Sequence, residues 1–393
     1  MEICTVRDYT QAFSGYAFSS EDLVDIGRPV LKIGNIQNHH ILKETDSFYC
    51  KQITNKLKKY QFQKGDFLVA MTGAGSVGRA GKMIDFEEGY LVNQRVAIIR
   101  PDLSRADPDY LFYYFSMEYV EKYLYNLGIG AGQPNISAND ILKTKVSFPS
   151  LSKQRKIGAI LSSYDSLIEN NSKRIALLEQ MAENLYKEWF VRFRFPGYEK
   201  VDFVRDKPRG WVTGTSTNLM RPAHWCFGSL SNLGEFKRGK NITSAQMEEG
   251  NIPVISAGVD PSGYHSVANV CGESITISAS GANAGYLLYH LDDVWAADCS
   301  YYQGDNLWFV YNTLRFLQSV VHNMQVGAAQ PHVYPKNINR LCVIIPDNVA
   351  ISAYCEEVQP IYKEIKILKE SNNNLIKQRD LLLPRLMSGK LEV

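Results

Sequence analysis

Apolar residues recur with two different spacings along this chain of 393 residues. In residues 1–150, short apolar runs such as Phe67–Met71 and Val96–Ile99 lie between Gly, Asp and Pro residues, which is typical of strands. The apolar stretch from Asp109 to Leu124 follows a proline and predicts one helix. Residues 1–150 are therefore expected to form a mostly β domain with short helices.

In residues 151–196 the apolar residues follow a heptad pattern, in which they are alternately four and three residues apart. We call this line of positions along one side of the helix the seam. A helix of roughly 38 residues would be about 57 Å long and could not bury this seam alone, so it needs a long partner. We expect the one polar seam residue, Asn171, to fix the register of that pairing. The seam comprises Tyr164, Ile168, Asn171, Ile175, Leu178, Ala182, Leu185 and Trp189.

Residues 348–393 repeat this spacing and supply the predicted partner helix. Arg379 occupies the one discordant slot, and Pro384 is expected to end or kink the helix. We favour pairing of the two helices with each other, which would hold two domains apart; pairing with helices of another subunit is the alternative. The second seam comprises Ile361, Ile365, Leu368, Asn372, Leu375, Leu382 and Leu386.

Short motifs of the first half recur in the second half, at a period far too long for a solenoid. Pro29–Gly34 is echoed by Pro253–Gly258, and the turn Gly130–Pro134 by Gly327–Pro331. A second β-rich domain is therefore predicted over residues 225–347, after an irregular connector at 197–224. The expected fold class is α+β, with two β-rich domains separated by two long antiparallel helices in a coiled coil and related by pseudo-two-fold symmetry.

Composition narrows the class of protein. The hydrophobic fraction is 45%, no apolar run reaches membrane-spanning length, and the first residues lack a signal-peptide pattern, so we expect a cytoplasmic protein. Seven scattered cysteines without a C-x-x-C motif favour reduced thiols over a metal site. Two adjacent histidines, His39 and His40, have no third ligand at metal spacing.

Net charge is only +2, which by itself does not indicate nucleic acid. Lysine and arginine supply the sequence-independent part of DNA affinity, so local basic clusters are more informative. Each cluster is also compatible with ordinary solvated surface. The clusters are Lys51, Lys56, Lys58, Lys59 and Lys64; Lys143, Lys145, Lys153, Arg155 and Lys156; and Lys237, Arg238 and Lys240.

Gly-rich segments resemble nucleotide sites only superficially. Gly73–Gly78 spells G-x-G-x-x-G, but the ten-residue helix that a dinucleotide site requires does not follow, so we predict a strand, a turn and a strand. Gly234–Asn241 nearly spells a P-loop and lacks its Ser/Thr. No two prolines are adjacent, which excludes the amino-methyltransferase motif, and we find no nuclease carboxylate cluster.

Several segments follow one another in a characteristic order: Gly130–Ser137, Val146–Pro149, Gln154–Ile157, the helix from Lys173 to Phe190, and Leu381–Gly389. In this order they resemble the specificity (S) subunits of type I restriction–modification systems, over nearly the whole chain. The resemblance implies two target-recognition domains at 1–150 and 225–347, a central conserved helix at 151–196 and a distal one at 348–393. Pro208–Trp211 resembles the usual start of a second recognition domain, although the repeat restarts near Trp225.

The same resemblance implies the function. Each recognition domain would read one half of a split sequence in double-stranded DNA, and the paired helices would set the spacer and dock two methyltransferase (M) subunits. Those subunits would supply S-adenosylmethionine chemistry. Restriction (R) subunits would add an ATP-driven nuclease, with magnesium. The chain itself would have no active site of its own, in agreement with the missing motifs, and would bind no cofactor.

Base readout is expected from polar loop residues beside the Gly-rich turns. The duplicated glutamines of the Gly-Gln-Pro turns either pair with adenine or shape the turn, and we favour the second role because both copies carry one. The DNA-binding candidates are Lys32, Asn35, Gln37, Asn38, His39, Lys58, Lys59, Ser76, Arg79, Gln133, Ser256, Tyr264, His265, Ser280, Asn283 and Gln330. The helix-packing candidates are Ile168, Asn171, Ile175, Leu178, Leu185, Trp189, Ile365, Leu368, Leu375 and Leu382.

Two alternatives from other classes stay open at this point. One is a nucleotide-dependent enzyme that uses the Gly-rich turn. The other is a coiled-coil scaffold whose domains bind protein.

Overall fold

The computed structural model describes residues 4–37, 39–130, 132–205, 220–326 and 331–393. Two compact units account for these residues. Unit 1 comprises Met1–Ser172 and Glu370–Val393, and unit 2 comprises Lys173–Lys369. Each unit therefore contains one β-rich domain together with a segment of each long helix.

Unit 1 is built around a five-stranded sheet of order β2-β10-β7-β8-β5. A four-stranded sheet (β3-β6-β4-β9) and the pair β1-β11 complete its strands. The strands are β1 (Cys4–Thr5), β2 (Thr10–Ser14), β3 (Leu23–Val24), β4 (Arg28–Leu31), β5 (His39–His40), β6 (Phe48–Tyr49), β7 (Phe67–Ala70), β8 (Ala80–Lys82), β9 (Leu91–Val92), β10 (Val96–Pro101) and β11 (Lys145–Val146). The helices are α1 (Asn55–Lys58), α2 (Pro108–Phe115), α3 (Glu118–Leu127), α4 (Ala138–Leu142) and the first part of α5 (Leu151–Tyr186).

Unit 2 has a four-stranded sheet of order β15-β21-β18-β19, a three-stranded sheet β17-β16-β20, and the pairs β12-β13 and β14-β22. Its strands are β12 (Phe203–Arg205), β13 (Met220–Pro222), β14 (Cys226–Ser229), β15 (Lys237–Arg238), β16 (Ile252–Ile255), β17 (Gly263–His265), β18 (Ser274–Ser278), β19 (Leu287–His290), β20 (Trp295–Ala296), β21 (Cys299–Tyr302) and β22 (Cys342–Ile345). Its helices are α6 (Leu307–Phe316), α7 (Gln318–His322), α8 (Pro335–Asn339) and most of α9 (Asn348–Met387).

The two domains follow one plan. The antiparallel order β2-β10-β7-β8 of unit 1 corresponds to β15-β21-β18-β19 of unit 2. The parallel pair β4-β9 likewise corresponds to β16-β20. The repeat seen in the sequence is therefore a repeat of strand pairing, and the predicted α+β class is confirmed.

Packing explains the strands that were predicted most clearly. All four residues of β7 and the first four of β10 are buried, because α2 covers one face of their sheet and residues of β4 and β9 cover the other. Such strands read as continuous apolar runs rather than alternating ones. In unit 1 the core below the sheet includes Leu111 and Phe112 of α2 together with Leu161 of α5.

The two long helices pair with each other in antiparallel fashion. In unit 1, Arg379 contacts Asp165 and Asn372 contacts Asn171. Residue numbers along α9 therefore decrease as those of their contacts along α5 increase. In unit 2, the Tyr354 hydroxyl donates to the Ala182 carbonyl at 3.0 Å, which continues the same trend. This confirms the favoured pairing, and α5 continues as a π-helical turn over Lys187–Val191.

Three local predictions are wrong. The predicted helix from Asp109 to Leu124 is two helices, because Ser116 ends α2 and Met117 has extended backbone angles before α3 begins. Of the two effects predicted for Pro384, a helix end or a kink, the helix end is wrong, because α9 runs through Pro384 to Met387. Part of the 197–224 connector is regular, since Phe203–Arg205 pairs with Met220–Pro222; Pro208–Trp211 lies outside the described residues. Among the described residues, no helix is long and apolar enough to cross a membrane.

Candidate nucleic-acid interface

In unit 1 the Gly-rich turn joins β7 to β8 and meets the Gly-Gln-Pro turn. The backbone N–H of Gly73 donates to the Pro134 carbonyl at 3.3 Å, and the N–H of Ile136 donates to the Met71 carbonyl at 2.9 Å. The turn is a hairpin connection rather than a dinucleotide loop, as the sequence predicted. Two segments far apart in the sequence are thereby joined into one concave surface.

Gly78 is the glycine at which this turn approaches a helix. Gly78 has a φ of +87°, and a Cβ built there would lie 2.8 Å from the backbone oxygen of Glu121. The hairpin can therefore approach α3 closely only without a side chain at this position. Gly285 of unit 2 has a φ of +86° and also lies near α7, where a Cβ would be 3.1 Å from the Val321 oxygen.

A third segment, just before β10, completes the concave surface of unit 1. The Met71 N–H donates to the Arg95 carbonyl at 3.1 Å, which holds this segment beside the two turns. The three segments enclose an open cleft of about 530 Å³ that is mostly polar. Its lining residues are Ser14, Met71, Thr72, Gln94, Arg95, Gln133, Pro134, Asn135, Ile136 and Ser137. We call this surface the cradle of unit 1.

The side chains of this cradle suit hydrogen bonding to a flat polar ligand. Gln94, Arg95, Gln133 and Asn135 are exposed. Within the part of the chain that the structure describes, the Arg95 guanidinium makes no hydrogen bond and no ion pair, so its donors are available.

Unit 2 contains the same backbone arrangement with different side chains. The Gly281 N–H donates to the Pro331 carbonyl at 3.2 Å, and the Val333 N–H donates to the Ala279 carbonyl at 2.9 Å. The Ala279 N–H donates to the Asp298 carbonyl at 3.2 Å, so Asp298 stands where unit 1 has Arg95. The surface formed by Arg238, Ser280, Asp298 and His332 is the cradle of unit 2.

The side chains of the unit 2 cradle are bonded to one another. The Asp298 carboxylate accepts from the Arg238 guanidinium and from the Ser280 hydroxyl. Arg238 remains 40% exposed at its side chain. An aspartate therefore contacts an arginine here, whereas Arg95 in the cradle of unit 1 has no side-chain partner among the described residues.

Some of the predicted base contacts of unit 1 hold the loops instead. The Asn35 side chain is 7% exposed and bonds to the backbone of Lys32, Leu42 and Glu44. His39 packs against Phe112, and burial together with the charge of Arg379 lowers the pKa of its imidazole to about 4. Both residues therefore face the protein interior rather than a groove.

The remaining candidates of unit 1 differ in exposure. The guanidinium of Arg79 donates to the Gly75 carbonyl at 2.6 Å and so braces the turn, while Ser76 is half-buried in that turn. Lys32 is 3.5 Å from Asp46, and the Gln37 amide donates to the Gly34 carbonyl. Gln133 is exposed in the cradle. Asn38 and Gln330 lie outside the described residues.

In unit 2 the predicted residues also divide into two groups. His265 is 6% exposed and its Nδ1 accepts from the Glu248 N–H at 3.0 Å, so it is structural. Ser280 is 7% exposed and belongs to the cradle. Tyr264 is 59% exposed and Asn283 is exposed, while the Ser256 hydroxyl is 3.1 Å from that of Ser262.

The basic clusters are partly neutralised. Lys51 pairs with Asp22, whereas Lys58 is exposed and the ammonium of Lys59 lies 5.0 Å from the centre of the Phe13 ring. Lys240 lies 6.0 Å from the ring centre of Trp295. No group of three or more metal-ligating side chains occurs among the described residues.

The helix seam is occupied as its spacing suggested. All ten helix-packing candidates are buried or half-buried, including Asn171 at 9% exposure and Ile365 at 0%. The Asn171 amide donates to the Asn372 side-chain oxygen at 2.9 Å. The two seam asparagines thus satisfy each other across the helix pair.

Sequence reasoning missed three functional candidates: Gln94, Arg95 and Asp298. Arg95 and Asp298 each stand one residue before the strands β10 and β21, but the shared backbone bonds that align them exist only in the folded chain. The sequence signal that could have identified Gln94 and Arg95 was the short polar segment between the apolar residues Leu91–Val92 and the apolar run that follows.

Known proteins share this architecture. The S subunit of a type I restriction–modification system from M. genitalium superimposes with a TM-score of 0.58 at 17% identity, covering 98% of this chain and 96% of that one. The specificity subunit of type I restriction enzyme MjaIX from Methanocaldococcus jannaschii is 26% identical over 316 residues, 72% of this chain and 69% of the relative. That of HindI from Haemophilus influenzae is 20% identical, covering 92% and 94%.

A family model agrees with these three comparisons. The model for the type I restriction modification DNA specificity domain matches residues 1–180 and 222–378, so each match includes one of the β-rich domains and part of a long helix. This chain belongs to the type I restriction modification DNA specificity domain family.

Proposed function

We propose that this chain is the non-catalytic subunit that reads a bipartite sequence in double-stranded DNA for a type I restriction–modification enzyme. The observation that carries the proposal is the pair of cradles, which share one set of backbone bonds and differ in their polar side chains. A common scaffold with different hydrogen-bonding groups is what two different half-sites require. A nucleotide-dependent enzyme is not favoured, because the Gly-rich turn joins two antiparallel strands in each unit.

Two methyltransferase (M) subunits are the proposed partners of the helix pair, and restriction (R) subunits join the larger complex. Exposed apolar side chains on α5 support a protein contact there, since Leu177 is 59% and Met181 57% exposed on one helix face four residues apart. S-adenosylmethionine, ATP and magnesium would then belong to those partners. A cytoplasmic location would give the complex access to its DNA.

Domain exchange tests the proposal. The chain is reconstituted with its methyltransferase subunit, and methylated sites are sequenced in a DNA library of random sequence. Replacing residues 225–347 by those of a relative is expected to change one half-site and leave the other intact. Methylation without sequence preference by the unmodified complex, or a change in both half-sites after the exchange, would contradict the proposal.

A separate measurement addresses the rival functions. Titration of the isolated chain with ATP or NAD is expected to give no binding heat. Binding of the reconstituted complex to its DNA should weaken steeply with salt, because lysines and arginines release counterions from phosphates. A salt-independent interaction with protein alone would favour the scaffold alternative.

A further inference from the structure

We propose that the position shared by Arg95 and Asp298 determines base specificity in the two half-sites. Arg95 reads a guanine directly in one half-site, and Arg238, held by Asp298, reads a guanine in the other. This inference rests on the proposed function, and it assigns the reading to named side chains.

The equivalence of the two positions follows from backbone hydrogen bonds. The carbonyl oxygens of Arg95 and Asp298 accept from Met71 and Ala279, the residues that follow β7 and β18. The strand opposite is aligned in the same way, since the Gly15 N–H donates to Val96 and the Gly239 N–H donates to Cys299, both at 2.9 Å. Ser14 and Arg238, which precede those glycines, are therefore equivalent as well.

In unit 1 the equivalent pair is Ser14 and Arg95. The serine brings no charge, so the positive charge of this pair comes from Arg95 alone. Its guanidinium is exposed in the cradle and has no partner among the described residues. Arginine donates two parallel hydrogen bonds to O6 and N7 of guanine, which is the commonest specific contact in the major groove.

In unit 2 the equivalent pair is Arg238 and Asp298, so the arginine has moved to the neighbouring strand. The Asp298 carboxylate accepts from Arg238 through one oxygen and from Ser280 through the other. This contact restrains the Arg238 guanidinium, which keeps further N–H donors on a side chain that is 40% exposed. An arginine fixed before binding loses less conformational freedom when it pairs with a base.

The test measures base preference with the reconstituted methyltransferase complex on the random library described above. Arg95→Ala is expected to reduce the preference for guanine at one position of one half-site by about tenfold or more, with every other position unchanged. Arg95→Lys keeps the charge but not the planar fork, so it should lose the same preference and keep the salt dependence of binding. Arg238→Ala should act in the same way on the other half-site.

Two further variants sharpen the result. Asp298→Asn removes the charge that orients Arg238, so preference in the second half-site should fall by less than in Arg238→Ala. Arg105→Ala is the matched control, because Arg105 is an exposed arginine beyond the opposite end of β10, and it should leave every base preference unchanged. Thermal melting of each variant verifies that the fold is retained.

The outcomes separate the two proposals. If the unmodified complex is sequence-specific and Arg95→Ala keeps the same preference, the assignment of Arg95 is wrong while the proposed function stands. A uniform loss of affinity for all sequences would also overturn it, because that result identifies a phosphate contact. Absence of any sequence preference in the unmodified complex would instead contradict the proposed function.

Discussion

The guanidinium of Arg379 on α9 donates to the carboxylate of Asp165 on α5 at 2.6 Å, with side chains only 8% and 2% exposed. The Tyr113 hydroxyl donates to the same carboxylate, and the ammonium of Lys82 lies 3.8 Å away. Burial is the largest single influence and tends to lower the pKa of Arg379, but the charges and hydrogen bonds of Asp165 and Asp380 together outweigh it and the pKa is raised. Burial and the same carboxylate raise the pKa of Tyr113, so this tyrosine remains a donor.

Removing one partner of this pair should be costly. Arg379→Met leaves a buried carboxylate with less compensation, and we expect the free energy of unfolding to fall by about 3–5 kcal/mol. Asp165→Leu combined with Arg379→Met should recover much of that loss, because no uncompensated charge of the pair remains. Urea denaturation followed by circular dichroism measures both changes.

An exposed ion pair between the same two helices is the control for that experiment. Arg174 and Glu364 are 2.8 Å apart, with side chains 53% and 40% exposed. Arg174→Met is expected to change stability by less than about 1 kcal/mol, because water screens the pair. Equal losses at Arg379 and Arg174 would show that burial does not strengthen the first interaction.

The asparagine pair in the seam should act on register more than on stability. Replacing both Asn171 and Asn372 by leucine is expected to stabilise the helices by about 1–2 kcal/mol and to permit other registers or oligomers. Light scattering after size-exclusion chromatography would detect the additional species. Asn373→Leu, at an exposed neighbouring position, should produce neither effect, and a unique monomer in the double variant would contradict the role in register.

Two half-buried histidines, His39 and His290, should make stability depend on pH. Burial is the main cause that lowers the pKa of His39 and of His290 from 6.5 to about 4, assisted by the charges of Arg379 and Lys369 respectively. Between about pH 4 and pH 6.5 the unfolded chain therefore binds more protons than the folded chain. The contribution of each histidine to the free energy of unfolding is full above about pH 6.5 and falls as the pH drops toward 4. Each histidine should contribute at most about 2 kcal/mol between about pH 7 and pH 5.

Substitution of the histidine isolates this effect. His39→Gln should flatten the change of melting temperature over that pH interval. His40→Gln, on the same strand but exposed, should leave the profile unchanged. An identical pH profile for His39→Gln and the unmodified chain would show that His39 is not the group that titrates.

The close approach of the hairpin to α3 predicts a position-specific cost. Gly78→Ala should destabilise unit 1 by about 1–3 kcal/mol, because the φ of +87° strains an L-residue and the added Cβ meets the Glu121 oxygen. Gly34→Ala is the control, since a Cβ there meets nothing within 4 Å. Thermal melting compares the two, and equal stability would contradict the close packing of hairpin and helix.

Periodicity and duplication were sufficient to predict much of the fold. The heptad seam predicted two paired helices because a long amphipathic helix must bury its apolar side, and the structure pairs α5 with α9. The Gly-rich turn was correctly assigned to a hairpin, because the sequence after it is too short and too glycine-rich for a helix. The break between α2 and α3 was missed, because the same apolar side chains suit one helix or two.

The site depended on the tertiary structure. Asn35 and His265 are polar loop residues by sequence, but the fold buries both and directs their hydrogen bonds to the backbone. Arg379 seemed discordant in its seam, since its partner Asp165 is more than two hundred residues away in sequence. Exposure of a polar side chain depends on what the rest of the chain places over it, which local sequence does not encode.

The sequence by itself determined the repeated plan of this protein and its two paired helices, since both depend on the order and spacing of apolar residues. Only the tertiary structure decided which polar residues form the two cradles. Arg95 and Asp298 become equivalent through hydrogen bonds between strands and turns that are distant in the sequence. Those bonds form only when the sheets close, so the chemistry of the candidate interface emerges from folding.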